Sequence, residues 1–173
     1  ALSSGRGESV VPIAADPDWH IALLTPAIDC ATPAVYGALG LEPMSAEELQ
    51  AAIQDSGARD SASELSPANV FSASAAEARA FLHNDLEAPA ARAFPALAAW
   101  RSLFERVGQA HFLLAGSGSS FFGLFPSADD AAAALDRIRA EAAAHDLALR
   151  HAAVHRPAGA HLLRRTTGSA PRP

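Results

Sequence analysis

With 173 residues, half of them hydrophobic, and a formal net charge of −6, the chain has the length of one domain with its own core and lacks the basic balance of a general nucleic-acid-binding surface. No apolar run reaches about eighteen residues, so no membrane-spanning helix is expected. The single cysteine, Cys30, excludes an intramolecular disulfide and points to a reducing, cytoplasmic compartment, and the thirteen basic residues are all arginine, which removes Schiff-base chemistry and the lysine of many phosphoryl-transfer sites.

The chain opens at Ala1 with neither a basic region nor an apolar run, a pattern that argues against a signal peptide and for a piece of a larger sequence. Segments 8–14 and 19–25 read as strands. Thr32-Pro33 then opens a short helix, with Thr32 as the expected N-cap and Pro33 at N1, and Gly40 stands where it should end. Ser45 with Glu48 and Ser74 with Glu77 are capping-box patterns ahead of two further helices. Between them, residues 55–72 are polar and poor in large apolar side chains, and are read as a mobile loop.

His83-Asn84-Asp85-Leu86-Glu87 joins one helix end to the next helix start. Asn84 or Asp85 is read either as an N-cap or as a group that orders a neighbouring loop or a substrate hydroxyl. Pro95 opens a helix through Val107, with Leu97, Trp100, Leu103, Phe104 and Val107 on one face and Gly108 as its stop. Ser127 with Asp130 caps a last helix, with Ala131, Ala134, Leu135, Ile138 and Ala142 as the inward stripe. A strand over 147–154 follows, and from Pro157 the chain is a Pro/Gly/Arg tail, read as disordered and basic.

Between these helices, His111–Phe125 reads HFLLAGSGSSFFGLF. Two short apolar runs flank Gly116-Ser117-Gly118-Ser119-Ser120, a turn whose glycines permit positive φ and whose N–H groups can line an anion-binding nest. Walker and Rossmann loops both lead into a helix, whereas a strand follows here and no Gly-Lys-Ser/Thr is present. The turn is therefore either an anion-binding loop of another kind or a plain hairpin. Strand, helices, strand, strand, helix, strand is a split β-α-β pattern, so the expected fold is α+β, a ferredoxin-like sandwich with extra helices, the helices lying on one sheet face.

No Cys/His/Asp cluster has metal-site spacing. His151 and His155 share a strand face about 13 Å apart by rise per residue, and Cys30 is read as a buried structural thiol despite His20 in the same region. The loop serines lack a nucleophile elbow. No catalytic residue and no metal ligand is assigned within the chain.

Taken together, three motifs resemble the C-terminal half of GHMP-superfamily small-molecule kinases. They are Gly5-Arg6-Gly7-Glu8 with Val11-Pro12, then Asn84-Asp85-Leu86-Glu87, and the glycine loop with Phe122-Gly123-Leu124-Phe125 behind it. Ala115 departs from the hydroxyl residue usual before that loop. The resemblance implies a C-terminal domain over 1–156, of which 1–15 is an edge segment from the N-terminal half, followed by a disordered tail over 157–173. It implies Thr32 and Tyr36 at the cytidine end of a small-molecule substrate, Gly116, Ser117, Gly118 and Ser119 near its phosphates, and Asn84 and Asp85 ordering the site. A helix places Thr32 and Tyr36 on one face, where a tyrosine ring can stack on a pyrimidine.

The branch implied phosphorylates the 2-hydroxyl of a cytidine-diphosphate-linked methylerythritol in isoprenoid biosynthesis, with ATP and magnesium as co-substrate of the full-length enzyme. The ATP-wrapping loop, the catalytic aspartate and the lysine of these kinases lie in an N-terminal kinase domain absent from this sequence, so the chain alone is expected neither to bind ATP productively nor to turn it over. Another GHMP kinase, or a non-catalytic ferredoxin-like binding or dimerisation module, remains open at this point.

Overall fold

The computed structural model describes residues 2–4, 9–11, 17–41, 45, 47–48, 51 and 73–157. Its centre is a four-stranded antiparallel sheet of β3 (His20–Pro26), β4 (Leu113–Leu114), β5 (Phe121–Phe125) and β6 (Leu149–His155), in the order β4-β5-β3-β6. β3 and β4 flank β5, and β5 and β6 flank β3, so each helical crossover returns with one strand between its ends. This interleaving is the split β-α-β arrangement expected for a ferredoxin-like α+β sandwich. Apart from it, β1 (Leu2–Ser4) and β2 (Ser9–Val11) form an antiparallel pair with Leu2 opposite Val11. Of the strand expected over 8–14, Ser9–Val11 is present, and its partner Leu2–Ser4 was not anticipated. The motif residues 5–8 and Pro12 lie outside the described residues, as do 55–72 and 158–173.

The helices begin where local chemistry places them. α1 spans Thr32–Gly37, α2 Ala75–Phe81, α3 Glu87–Ala93, α4 Ala96–Arg106 and α5 Ala128–Ala144. Ser74 and Glu77 form a reciprocal capping box at α2, and the bond from Ser74 holds the Glu77 carboxyl below its ordinary pKa. The Ser127 hydroxyl accepts from Asp130 N–H at 3.0 Å at α5. Ser45 and Glu48 make the same pair of bonds, at 2.8 and 3.2 Å. α4 is followed by the cap Val107 and then by Gly108, whose φ of +70° suits glycine.

One face of the sheet carries the main core. Ala22 and Leu24 of β3 and Phe121 and Phe125 of β5 pack against Leu97, Trp100, Leu103 and Phe104 of α4 and the expected α5 stripe, every member of which is buried. Phe104 is its hub, edge-on to Phe121 at 5.0 Å and stacked on Phe112 at 5.1 Å. Gly123 lets the Phe112 ring lie on β5: a Cβ there would stand 2.9 Å from Phe112 Cε2 and 3.1 Å from Phe125 Cε2.

The opposite face is not bare, which corrects the expectation that the helices share one side. Strand alternation turns Ile21, Phe122 and Leu124 away from the main core, and α2 covers them with Ala75 and Ala78, beside Trp19. Because β4 is only two residues long, it leaves the far half of β5 without a neighbour on that edge. The Arg79 guanidinium fills the gap, donating to the Leu124 carbonyl (2.8 Å from Nε) and lying over the Phe125 ring at 5.3 Å.

Three further expectations change. Thr32 is the first residue of α1 rather than its cap. Ala31, whose methyl offers no capping oxygen, is the N-cap, and the Thr32 hydroxyl has its partner outside the helix. His151 and His155 approach to 6.3 Å between ring centroids, since backbone rise sets Cα spacing while long side chains lean along the strand. Cys30 is only half-buried, and His20 stands at the opposite end of β3 from it.

Candidate functional site

The site gathers where the end of β3, the start of α1, the segment before α3 and the β4–β5 turn meet. The turn, residues 115–120, is closed by Ala115 N–H donating to Ser120 O at 2.8 Å and Gly118 N–H donating to Ala115 O at 3.1 Å. Gly116 and Gly118 have φ of +57° and +95°, a region that L side chains rarely adopt. At Gly118 there is also little room, as an added Cβ would lie 3.2 Å from Leu114 Cδ1 and 3.5 Å from the Cys30 sulfur. Among the described residues, the N–H groups of Gly116, Ser117 and Ser119 donate to no backbone carbonyl, and successive free N–H groups in such a turn suit an anion.

Each serine of the turn has a separate anchor on the β3–α1 side. Ser117 Oγ lies 2.9 Å from Thr32 Oγ1 at the exposed rim. Ser119 is buried, and its hydroxyl donates to Pro26 O at 3.3 Å. Ser120 Oγ lies 2.8 Å from Thr25 Oγ1. A hydroxyl both donates and accepts, so the Thr32–Ser117 pair can present either function to a ligand at the rim.

Asn84 holds the turn from the other side. Its amide donates to Leu114 O and to Gly116 O, both at 2.8 Å, while its Oδ1 accepts from Leu86 N–H at 3.0 Å. One side chain therefore couples the chain entering α3 to both ends of the strand-to-turn step. The expected N-cap position belongs instead to Leu86, with no side-chain bond. Glu87 extends the connection, pairing at 2.6 Å with Arg101, which also donates to Phe112 O at the entry to β4. Asp85 is exposed and takes no part in these bonds.

α1 presents the remaining residues. Val35 is fully buried and anchors the helix, leaving Tyr36 on the outside with 56% of its surface exposed. Thr32 is exposed one turn earlier, on the same side as Tyr36 by helical spacing. Arg92 of α3 donates to Ala38 O at 2.7 Å and holds the far end of α1. Beside the turn, burial first and the Asp29 carboxylate second push the Cys30 thiol above its ordinary pKa, so it stays protonated at neutral pH and is a poor nucleophile.

The structure thus brings Thr32, Asn84 and Gly116–Ser119 together, with Tyr36 on the adjoining helix face and Asp85 outside the network. Sequence reasoning missed Thr25, Ser120 and Arg101. A β-strand threonine and a helix arginine carry no local signal, because their partners are decided by sheet pairing and helix packing. Among the described residues no group of three or more His, Cys, Asp or Glu could hold a metal ion, and no helix is long and apolar enough to cross a membrane.

Residues 63–144 match the family model described as GHMP kinases C terminal. The 4-diphosphocytidyl-2-C-methyl-D-erythritol kinase of Shouchella clausii is 33% identical over 124 residues, which covers 72% of this chain and 37% of that protein. The enzyme of the same name from Paracoccus denitrificans is 33% identical over 136 residues, 78% of this chain and 44% of the relative. The chain therefore spans less than half the length of either. The crystal structure of homoserine kinase from Cytophaga hutchinsonii, 15% identical, superposes with a TM-score of 0.54 over 87% of this chain and 45% of that one, a likeness of fold. The α+β architecture and the family match agree, and the chain carries a GHMP kinase C-terminal domain.

Proposed function

We propose that this chain is the substrate-side part of a kinase that transfers the γ-phosphoryl group of ATP to the 2-hydroxyl of 4-diphosphocytidyl-2-C-methyl-D-erythritol. The observation that carries the reading is the single rim formed by the Asn84-held glycine turn, the Thr32–Ser117 hydroxyl pair and the exposed Tyr36 ring. The relatives' shared name supplies the substrate.

In this reading the Tyr36 ring stacks on the cytosine and Thr32 bonds the cytidine end, while the free N–H groups of the turn face phosphate oxygens. These groups bind and orient. Phosphoryl transfer needs cations that offset the developing charge, and the chain contains no lysine. No ligand for the magnesium of Mg-ATP is assigned among the described residues, so the ATP-holding part belongs to an N-terminal kinase domain. The chain alone then orients substrate without turning it over.

Calorimetric titration with cytidine diphosphate tests the reading. The chain should bind it, and Tyr36→Ala should weaken binding by about 1–3 kcal/mol, the range of base–aromatic stacking. Absence of binding, or an unchanged affinity in Tyr36→Ala, would return the turn to a plain hairpin and Tyr36 to an incidental surface aromatic. Clear ADP release by the isolated chain with ATP and the methylerythritol substrate would refute its expected inactivity.

A further inference from the structure

A second polar pair lies at the same end of the sheet as the glycine turn, and none of the roles above uses it. On β6, His151 pairs with Thr25 and Leu149 with Pro26, so the ladder passes over one residue, Arg150. A bulge of this kind takes the extra side chain out of strand alternation and re-aims it. Here it is aimed at the strap between β3 and α1. Arg150 Nη2 meets Asp29 Oδ1 at 2.7 Å, and beside it Ala27 N–H donates to Ala148 O at 2.8 Å. The strap then runs through Cys30, whose sulfur faces Gly118 of the turn, to Thr32, whose hydroxyl meets Ser117. Arg150 is thereby tied to the middle of a five-residue strap that leads into Thr32 and the hydroxyl pair at the turn.

Stability does not account for this pair. The Asp29 side chain is 88% exposed and that of Arg150 49%, and ion pairs this open contribute little to folding, while the bulge forfeits a regular ladder position. A guanidinium is charged at every physiological pH and offers a planar fork of donors that matches phosphate oxygens. In a chain without lysine, arginine is the strong cation available at the rim.

We propose that Arg150 is a diphosphate-binding residue and that Asp29 is its resting partner, which yields the guanidinium to phosphate oxygens when an anionic ligand arrives. The step is a non-covalent exchange, and Asp29, already exposed, is left solvated at small cost. The identity of the ligand as a nucleoside diphosphate rests on the function proposed above; the anion-binding role of Arg150 does not.

The test is calorimetric titration of the chain at one low ionic strength with cytidine, cytidine diphosphate and inorganic pyrophosphate. It compares the unaltered chain with Arg150→Gln, Asp29→Asn and Arg137→Gln. Arg137→Gln removes the same unit charge, but from an exposed position on α5 outside the site. Arg150→Gln should weaken cytidine diphosphate and pyrophosphate by about tenfold, the scale of one charge-assisted bond, and leave cytidine unchanged. Asp29→Asn should tighten cytidine diphosphate, and Arg137→Gln should change it by less than about twofold.

Equal losses in Arg150→Gln and Arg137→Gln would reduce the effect to general charge and overturn the proposal. So would an unchanged ratio of diphosphate to nucleoside affinity in Arg150→Gln, or weaker binding in Asp29→Asn. Equal affinity of the unaltered chain for cytidine and its diphosphate sinks the Arg150 role while the cytidine reading stands. Arg150-dependent pyrophosphate binding without nucleotide binding supports the Arg150 role and sinks the cytidine reading. Binding of no probe overturns both.

Discussion

Replacing Asn84 should loosen the glycine turn without unfolding the sandwich. The side chain makes three bonds, two donated at 2.8 Å and one accepted at 3.0 Å, and each is worth about 0.5–1.5 kcal/mol net. Water reaches part of this half-buried group and recovers some of the loss, so Asn84→Ala should cost the turn about 2 kcal/mol. Asn84→Asp is the sharper variant, since it keeps the acceptor for Leu86 N–H but turns a carboxylate toward two carbonyl oxygens; it should cost at least as much. A cost of about 2 kcal/mol is roughly thirtyfold in an opening equilibrium. Amide hydrogen exchange of Ala115 and Gly118, the two turn N–H groups bonded within the loop, should accelerate by about that factor. Exchange at Ile138, in the buried middle of α5, should change far less. Parallel acceleration at both places would make Asn84 a general contributor to the fold, and acceleration of less than about threefold at the turn would mean that it does not hold the loop.

Other positions give equally direct outcomes. Gly123→Ala should destabilise the chain by about 1–3 kcal/mol in chemical denaturation, because the new methyl meets two packed rings rather than a flexible side-chain end. Gly37→Ala is its counterpart in open space at the end of α1 and should be neutral or stabilising by up to about 1 kcal/mol; a Gly123→Ala protein as stable as Gly37→Ala would refute the close-packing argument. His111 sits edge-on to Phe125 with its Nε2 unpartnered, and burial first, then the Arg79 charge, hold its pKa down to about 4. The unfolded chain therefore takes up this proton near the ordinary value of about 6.5 while the folded one resists, so stability present above pH 6.5 is lost as pH falls toward 4. The full shift would correspond to about 3 kcal/mol, and because the ring is partly exposed we expect roughly 1–2 kcal/mol. Unfolding free energies at pH 7 and pH 5 should converge in His111→Phe, and an unaltered pH slope in that variant would refute the assignment.

Much of the local structure was legible in the residues. The capping boxes at Ser45 and Ser74 and the N-cap at Ser127 satisfy orphan N–H groups within three positions, so their chemistry is complete in a short window. The α5 stripe and the buried face of α4 follow from the 3.6-residue period. Where reasoning of the same kind missed, a distant group had intervened. Thr32 has the side chain of a good cap, yet its hydroxyl meets Ser117, 85 residues away. Residues 122 and 124 gave no hint that α2 would cover them, since strand alternation tells that two faces exist and not what packs on the second.

By itself, the sequence determined most of the segments that become helices and strands, the capped starts of the helices after Ser74 and Ser127, and which motifs accompany the GHMP resemblance, because each depends on bonds or periodicities spanning a few residues. Only the tertiary structure decided that Asn84 reaches a turn 30 and 32 residues on, that Ser120 finds Thr25 across 95, and that the bulge points Arg150 at Asp29. Those partners are chosen by strand order and register. Burying both faces of one sheet sets these, and no short stretch of chain contains enough of that surface to specify them.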